Sequence, residues 1–211
     1  DVAEVSAEHG YGLESLAQML ESRYGKIEAP SGDDAADRVK ISVAGRPNVG
    51  KSSIANRLLG EDRLIVSKVA GTTRDSVKFD IDAISKKGVE MKFRLFDTAG
   101  LKLNRKTNSS LDYLSSVRTR KALAASDVVF LVLDAMEGVS DLDKRLVGEI
   151  VGFGASVIIV VNKWDYAVET FKQTTLRGYD NLPDFKKGFE EAVRRALPDV
   201  ADAPVHFVSA N

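Results

Sequence analysis

Val39-Lys40-Ile41-Ser42-Val43-Ala44-Gly45-Arg46-Pro47-Asn48-Val49-Gly50-Lys51-Ser52-Ser53-Ile54-Ala55-Asn56-Arg57-Leu58-Leu59 is the stretch on which the reading of the whole chain turns. Its first six residues form an apolar run of the kind found in buried strands. The next eight spell G-x-x-x-x-G-K-S. The remainder sets Ile54, Leu58 and Leu59 at helical spacing. A strand, a glycine loop and a helix start, in that order, make a nest of backbone N–H groups that faces an anion. Glycine at 45 and 50 lets the backbone curl around a phosphate without a Cβ clash. In such a loop Lys51 reaches the outer phosphates and the Ser52 hydroxyl ligates Mg2+. The bland alternative is a glycine turn before an amphipathic helix, and the flanking patterns count against it.

Downstream of this loop, strand-like and helix-like patterns alternate. Val89–Phe96, Val128–Leu133, Val157–Val161 and Val205–Val208 read as buried strands. Val77, Phe79, Ile81 and Ile84 read as another, joined to Val89–Phe96 through Lys86-Lys87-Gly88 as an antiparallel hairpin. Helical patterns fall near 51–59, 111–124, 140–152 and 184–197. Together with the G-x-x-x-x-G-K-S loop, this alternation predicts a three-layer α/β fold of the P-loop NTPase kind. Its sheet is mostly parallel and six-stranded, with one antiparallel hairpin strand and helices on both faces. In such folds ligands bind at the carboxyl ends of the strands, which is where the polar motifs of this chain fall.

Upstream, residues 1–25 do not read as the start of a domain. Val5-Ser6-Ala7 closes an apolar stretch, Gly10 and Gly12 mark a turn, and Leu13, Leu16, Ala17 and Leu20 follow helical spacing. Residues 26–37 contain Glu28-Ala29-Pro30-Ser31-Gly32-Asp33-Asp34, which is linker chemistry. Residues 38–211 form the main domain in this reading.

Composition narrows the classes of function. With 44% hydrophobic and 29% charged residues the 211-residue chain matches a globular protein rather than a disordered one. A formal net charge of −1 makes no global electrostatic case for nucleic acid or an acidic membrane. The absence of cysteine removes disulfides and thiolate chemistry. No apolar run is long enough for a bilayer span, and the expected location is the cytoplasm.

Three further motifs complete the site. Phe96-Asp97-Thr98-Ala99-Gly100-Leu101 follows an apolar strand. Asp97 there can hold Mg2+ opposite Ser52, and the Gly100 N–H can meet a terminal phosphate. Val161-Asn162-Lys163-Trp164-Asp165 ends a later strand. A carboxylate at Asp165 can accept two N–H bonds from guanine, and adenine lacks the second donor. The lysine stem can cover the base, while Trp164 can shield the base or simply pack. The same four residues also spell a solvated turn. Val208-Ser209-Ala210-Asn211 offers a backbone N–H for guanine O6. Finally, Ala70-Gly71-Thr72-Thr73-Arg74-Asp75 can supply a threonine, Thr73 or else Thr72, that completes the Mg2+ shell when a γ-phosphate is present.

Taken in order, GRPNVGKS, GTTRD, DTAGL, NKWD and SAN resemble the translation-factor class of small GTPases. The spelling is most similar to the EngA/Der group, in which two GTPase domains in tandem precede a KH-like domain. Leu64-Ile65-Val66-Ser67, Val132-Leu133-Asp134-Ala135 and Asp143-Lys144-Arg145 add to the likeness. Val5-Ser6-Ala7-Glu8-His9-Gly10 looks like the base-recognition loop of a first domain. The resemblance therefore implies a window on a longer protein: the end of one GTPase domain at 1–25, a linker at 26–37, a second GTPase domain at 38–211, and no KH-like domain. It implies GTP and GDP as ligands, Mg2+ as cofactor, a monomer, and the large ribosomal subunit and its RNA as partner. Lys102, Arg105, Lys106, Arg118, Arg120 and Lys121 form a basic stretch that suits such a partner, or equally a solvated face.

One departure bears on mechanism. Ras-like enzymes place a glutamine after D-x-x-G to orient the attacking water, but this chain has Leu101. Asn48 offers a substitute route, because its carbonyl oxygen can help hold a monovalent cation beside the β- and γ-phosphates. The resemblance implies stimulation by K+. Alternatively Asn48 caps the loop backbone. On this reading Asn48, Lys51, Thr73 and Gly100 carry the hydrolysis. The competing readings are a nucleotide-gated docking module with little hydrolysis, which Leu101 favours, and an Era-like or tRNA-modification GTPase, which shares GTTRD and NKxD.

Overall fold

Seven strands form one sheet in the order β2-β3-β4-β1-β5-β6-β7 in a computed structural model that describes residues 38–60, 64–69, 78–84, 88–96, 117–173 and 179–210. In chain order they are β1 (Val39–Ala44), β2 (Leu64–Val69), β3 (Lys78–Ile84), β4 (Glu90–Phe96), β5 (Val128–Asp134), β6 (Ser156–Asn162) and β7 (Val205–Phe207). The helices are α1 (Lys51–Leu59), α2 (Val117–Ala124), α3 (Asp141–Gly152), α4 (Trp164–Gln173) and α5 (Leu182–Ala196). Residues 1–37, and with them the expected end of a preceding domain and the linker, lie outside the described residues.

The α/β architecture is the one expected, with β3 antiparallel to both of its neighbours and the other strands aligned. The strand count differs: there are seven rather than six, because Leu64–Val69 pairs with β3 as an edge strand. Helix α4 was also unforeseen, since residues 162–165 read as a turn. Its signal was present in Trp164, Ala167, Val168 and Phe171, which follow helical spacing.

Alternation along the central strands explains the layers. On β5, Val129, Leu131 and Leu133 face one way and Val128, Phe130 and Val132 the other, and all are buried. The first set packs with Leu123 of α2, with Leu146 and Ile150 of α3, and with Val193 of α5. The second packs with Ile54 and Ala55 of α1 and with Ile41 and Val43 of β1. A strand buried on both faces reads as a continuous apolar run, which is why β5 and β6 were easy to find.

Local chemistry sets the helix ends. In α3, the Ser140 side chain accepts from the Asp143 N–H while Asp143 accepts from the Ser140 N–H, a reciprocal capping box. Asn181 caps α5 by accepting from the Asp184 N–H at 2.9 Å.

The sheet order positions the site. Strand β1 lies between β4 and β5, parallel to both. The chain therefore crosses from one side of β1 to the other between β4 and β5, and a crevice opens at the carboxyl ends of the strands at such a crossing. The G-x-x-x-x-G-K-S loop leaves β1 at that point.

Candidate functional site

Backbone geometry makes the loop after β1 a cradle. Gly45 adopts φ 147° and Gly50 φ 96°, both closed to ordinary side chains. A Cβ at Gly45 would collide with the Val132 carbonyl oxygen, and one at Gly50 with the Asn162 side-chain amide. Between them Asn48 turns the chain with φ 65°. Helix α1 then begins with no side-chain cap and no acidic residue in its first turn. Its positive dipole end is thus left for an anion supplied from outside the helix.

Lys51 folds back over this cradle. Its Nζ donates to the carbonyls of Gly45 at 2.9 Å and Arg46 at 2.5 Å. Burial lowers its pKa to about 8, partly offset by the nearby Asp143 carboxylate. A half-buried ammonium beside a helix N-terminus suits a phosphate, whose negative charge would favour the protonated lysine.

Asn162, the last residue of β6, joins the pieces. Its Nδ2 donates to the Val49 carbonyl at 2.9 Å, and its Oδ1 accepts from the Ala210 N–H at 3.2 Å. One buried amide therefore ties the phosphate-type loop to the chain end after β7. Next, Lys163 takes φ 62°, and its Nζ donates to Asp134 Oδ2 at 2.6 Å. The Trp164 N–H donates to the Val208 carbonyl at 3.1 Å and the Asp165 N–H to Ser209 Oγ at 3.0 Å. The Asp165 residue is exposed at the start of α4. The Trp164 ring stacks on Phe185 at 5.3 Å and touches Phe207 at 4.4 Å. Of its two expected roles, packing is the one seen.

Gly45 to Ser53, Asn162 to Asp165, and Ser209 with Ala210 are thus brought to one end of the sheet. Strand β4 ends there too, with Phe96 beside Ser42 of β1. Thr72 and Thr73, Asp97 to Leu101, and Asn211 lie outside the described residues. So do Lys102, Arg105 and Lys106 of the basic stretch. Arg120 of that stretch pairs with Glu149 of α3 at 3.3 Å. Among the described residues no hydrogen bond ties the exposed Asn48 side chain to the loop, so the capping role is not seen.

Two carboxylates that the sequence offered only as family spelling, with no role, prove to hold cations of the site. Asp134, at the end of β5, holds Lys163. Asp143, fully buried, pairs with Arg46 Nε at 2.9 Å. Arg46 was expected only as part of the loop. The Ser140-x-x-Asp143 capping pattern was readable, but nothing local pointed it at Arg46.

A sequence profile for 50S ribosome-binding GTPases matches residues 40–163, from β1 to Lys163. The chain belongs to this family. Members named GTPase Der from Bacillus thuringiensis (strain Al Hakam) and Staphylococcus aureus (strain JH9) are each 40% identical to it over 206 residues. The match takes in 98% of this chain but 43% of each relative, so the chain spans less than half their length. Among solved structures, a point variant of Aquifex aeolicus Era bound to GDP and AlF4− aligns with a TM-score of 0.51 at 25% identity. It covers 81% of this chain and 50% of that one. Era in complex with MgGDPNP and a 16S ribosomal RNA segment has a TM-score of 0.50 and 23% identity, covering 82% and 51%, and speaks for the fold alone. Among the described residues no helix of this family member is long and apolar enough to cross a membrane.

Proposed function

We propose that this chain binds GTP and GDP, hydrolyses GTP to GDP and phosphate, and serves as a switch in assembly of the large ribosomal subunit. Membership of the family supports it. The observation that carries it is the Asn162 amide, which joins an anion cradle to the loops expected to read guanine. On this reading residues 38–211 are a GTPase domain, monomeric and cytoplasmic, and residues 1–25 are the end of another, joined through 26–37.

Roles follow from position. Lys51 and the backbone N–H groups of Gly50 and Ser52 hold the phosphates. The Ser52 hydroxyl, Thr73 and Asp97 hold Mg2+, with Thr72 in place of Thr73 if that loop is shifted. When bound, Mg2+ neutralises charge on the β- and γ-phosphates. Gly100 senses the γ-phosphate. Asn162, Lys163 and Asp165 select the base, aided by Ala210, whose N–H is held by Asn162 Oδ1 here and turns to guanine O6 when the nucleotide enters. Transfer to water needs positioning and charge rather than a covalent nucleophile. Asn48, exposed in the loop and turned by its left-handed backbone, presents its side chain to solvent, and that supports a K+ contact there.

Calorimetry with GDP and ADP, followed by multiple-turnover phosphate release in KCl and in NaCl, tests this. GDP binds, ADP does not, turnover is faster in KCl, and Asn48→Ala removes that difference. ADP held as firmly as GDP, or neither held, overturns the nucleotide reading. GDP binding without turnover in either salt would leave a docking module rather than an enzyme.

A further inference from the structure

Arg46 spends its side chain on the protein rather than on the cradle it belongs to. Nη1 donates to Glu137 Oε2 at 2.6 Å and Nη2 to the Gly138 carbonyl at 3.0 Å, while Nε lies 2.9 Å from Asp143 Oδ2. The backbone of the same residue faces the other way, because its carbonyl accepts from Lys51 Nζ. Arg46 is therefore the link between the lysine expected on the phosphates and the segment that leads from β5 into α3.

We propose that Asp143 is a positioning residue for nucleotide binding: its buried carboxylate fixes the Arg46 guanidinium and so holds the phosphate loop in its receptive shape. The burial of Asp143 is complete, and among the described residues its Oδ1 has no hydrogen-bond partner. Its remaining contacts are to the Ser140 N–H at 2.9 Å and the Ser140 hydroxyl at 2.8 Å. Those are neutral donors. Among the described residues the cation in contact with it is Arg46, while Lys51 feels its charge from farther off, and a buried charge that loses its partner is strongly destabilised. The pair is thus tightly coupled, and the loop cannot shift its second residue without exposing that coupling. A carboxylate spent only on capping would not need an arginine from a loop nearly a hundred residues away in sequence.

This inference rests on the guanine-nucleotide reading above. The test is the affinity and dissociation rate of fluorescently labelled GDP, measured beside thermal unfolding without nucleotide. Asp143→Asn keeps an acceptor for both Ser140 groups and removes only the charge. It and Arg46→Gln each weaken GDP binding about tenfold, chiefly through faster dissociation, and the double variant is no worse than Arg46→Gln. Arg46→Lys, which keeps the charge without the fork, recovers part of the loss. Leu146→Ala, in the core of the same helix, lowers the unfolding temperature and leaves GDP affinity unchanged. Should Asp143→Asn not fold, the Arg46 pair of variants still reports the link. Wild-type affinity in folded variants, or losses that simply add, overturns the inference while the nucleotide reading stands. A wild-type chain that ignores GDP overturns both.

Discussion

The two halves of the sheet are held together by different forces. In the half made of β1, β5, β6 and β7 the centre is apolar on both faces along β5 and β6, and every residue of β5 is buried. In the β3–β4 half one face is apolar, with Phe79 opposite Leu95 and Ile81 opposite Phe93. The other face carries charge: Arg94 grips Asp80 with two bonds, at 2.7 and 2.9 Å, and Arg38 bridges Asp80 and Asp82. The described parts of the site hang from the first half. Gly45 follows β1, Asp134 ends β5, Asn162 ends β6, and Ser209 and Ala210 follow β7. A non-directional apolar core gives those anchor points a fixed frame through dense packing. The charged half instead fixes register, because opposite charges directly across a ladder penalise a slip.

The largest expected effect breaks the apolar side. Leu133→Ala removes a fully buried side chain near the carboxyl end of β5. It should cost about 3 kcal/mol in urea denaturation, from lost burial and the cavity left behind. A cost below about 1 kcal/mol would show that this half is less tightly packed than its burial implies.

The intermediate effect falls on the charged side and depends on pH. The hydrogen bonds from Arg94, with help from its charge and that of Arg38, hold the Asp80 carboxyl below the usual carboxylate range. A folded-state value below the unfolded one means that the ionised form is favoured by folding. Its contribution is present above about pH 4 and is lost as pH falls through the depressed folded value. Asp80→Asn should therefore lower stability by about 1–3 kcal/mol at neutral pH. It should also flatten the fall of stability below about pH 4, read from urea titrations at several pH values. An unchanged acid slope would remove Asp80 as its source.

The smallest effect sharpens the contrast. Ile84 ends β3 with 69% of its surface exposed. Ile84→Ser should change stability by no more than about 0.5 kcal/mol in the same denaturation assay. A larger loss would mean that the outer end of this half is covered by another surface in solution.

Legibility in the sequence followed the same division. Strands β1, β5 and β6 were found within a residue because their apolar runs are continuous. The antiparallel pairing of β3 with β4 was readable from the alternation on both sides of Gly88, while residues 85–87 between them lie outside the described residues. Leu64–Val69 was seen only as a family spelling, since a short run gains its strand identity from the neighbour it pairs with. Helix α4 was overlooked because its first residues belong to a motif that also spells a turn. Within the site, Gly45, Gly50 and Lys51 were readable because their roles depend on local backbone shape. The partners of Arg46 and Lys163 were not, because Asp143 and Asp134 lie far along the chain.

By itself the sequence determined the succession of strand, glycine cradle and helix, and the identity of the side chains at each strand end. Those properties are local: backbone angles open to glycine, and apolar spacing of two or 3.6 residues. Only the tertiary structure decided that β1 would lie between β4 and β5. That order alone lets one amide of Asn162 reach both Val49 and Ala210, and sets a buried carboxylate against Arg46. Strand order is settled by the competition of whole faces for burial, and no single stretch of residues records its outcome.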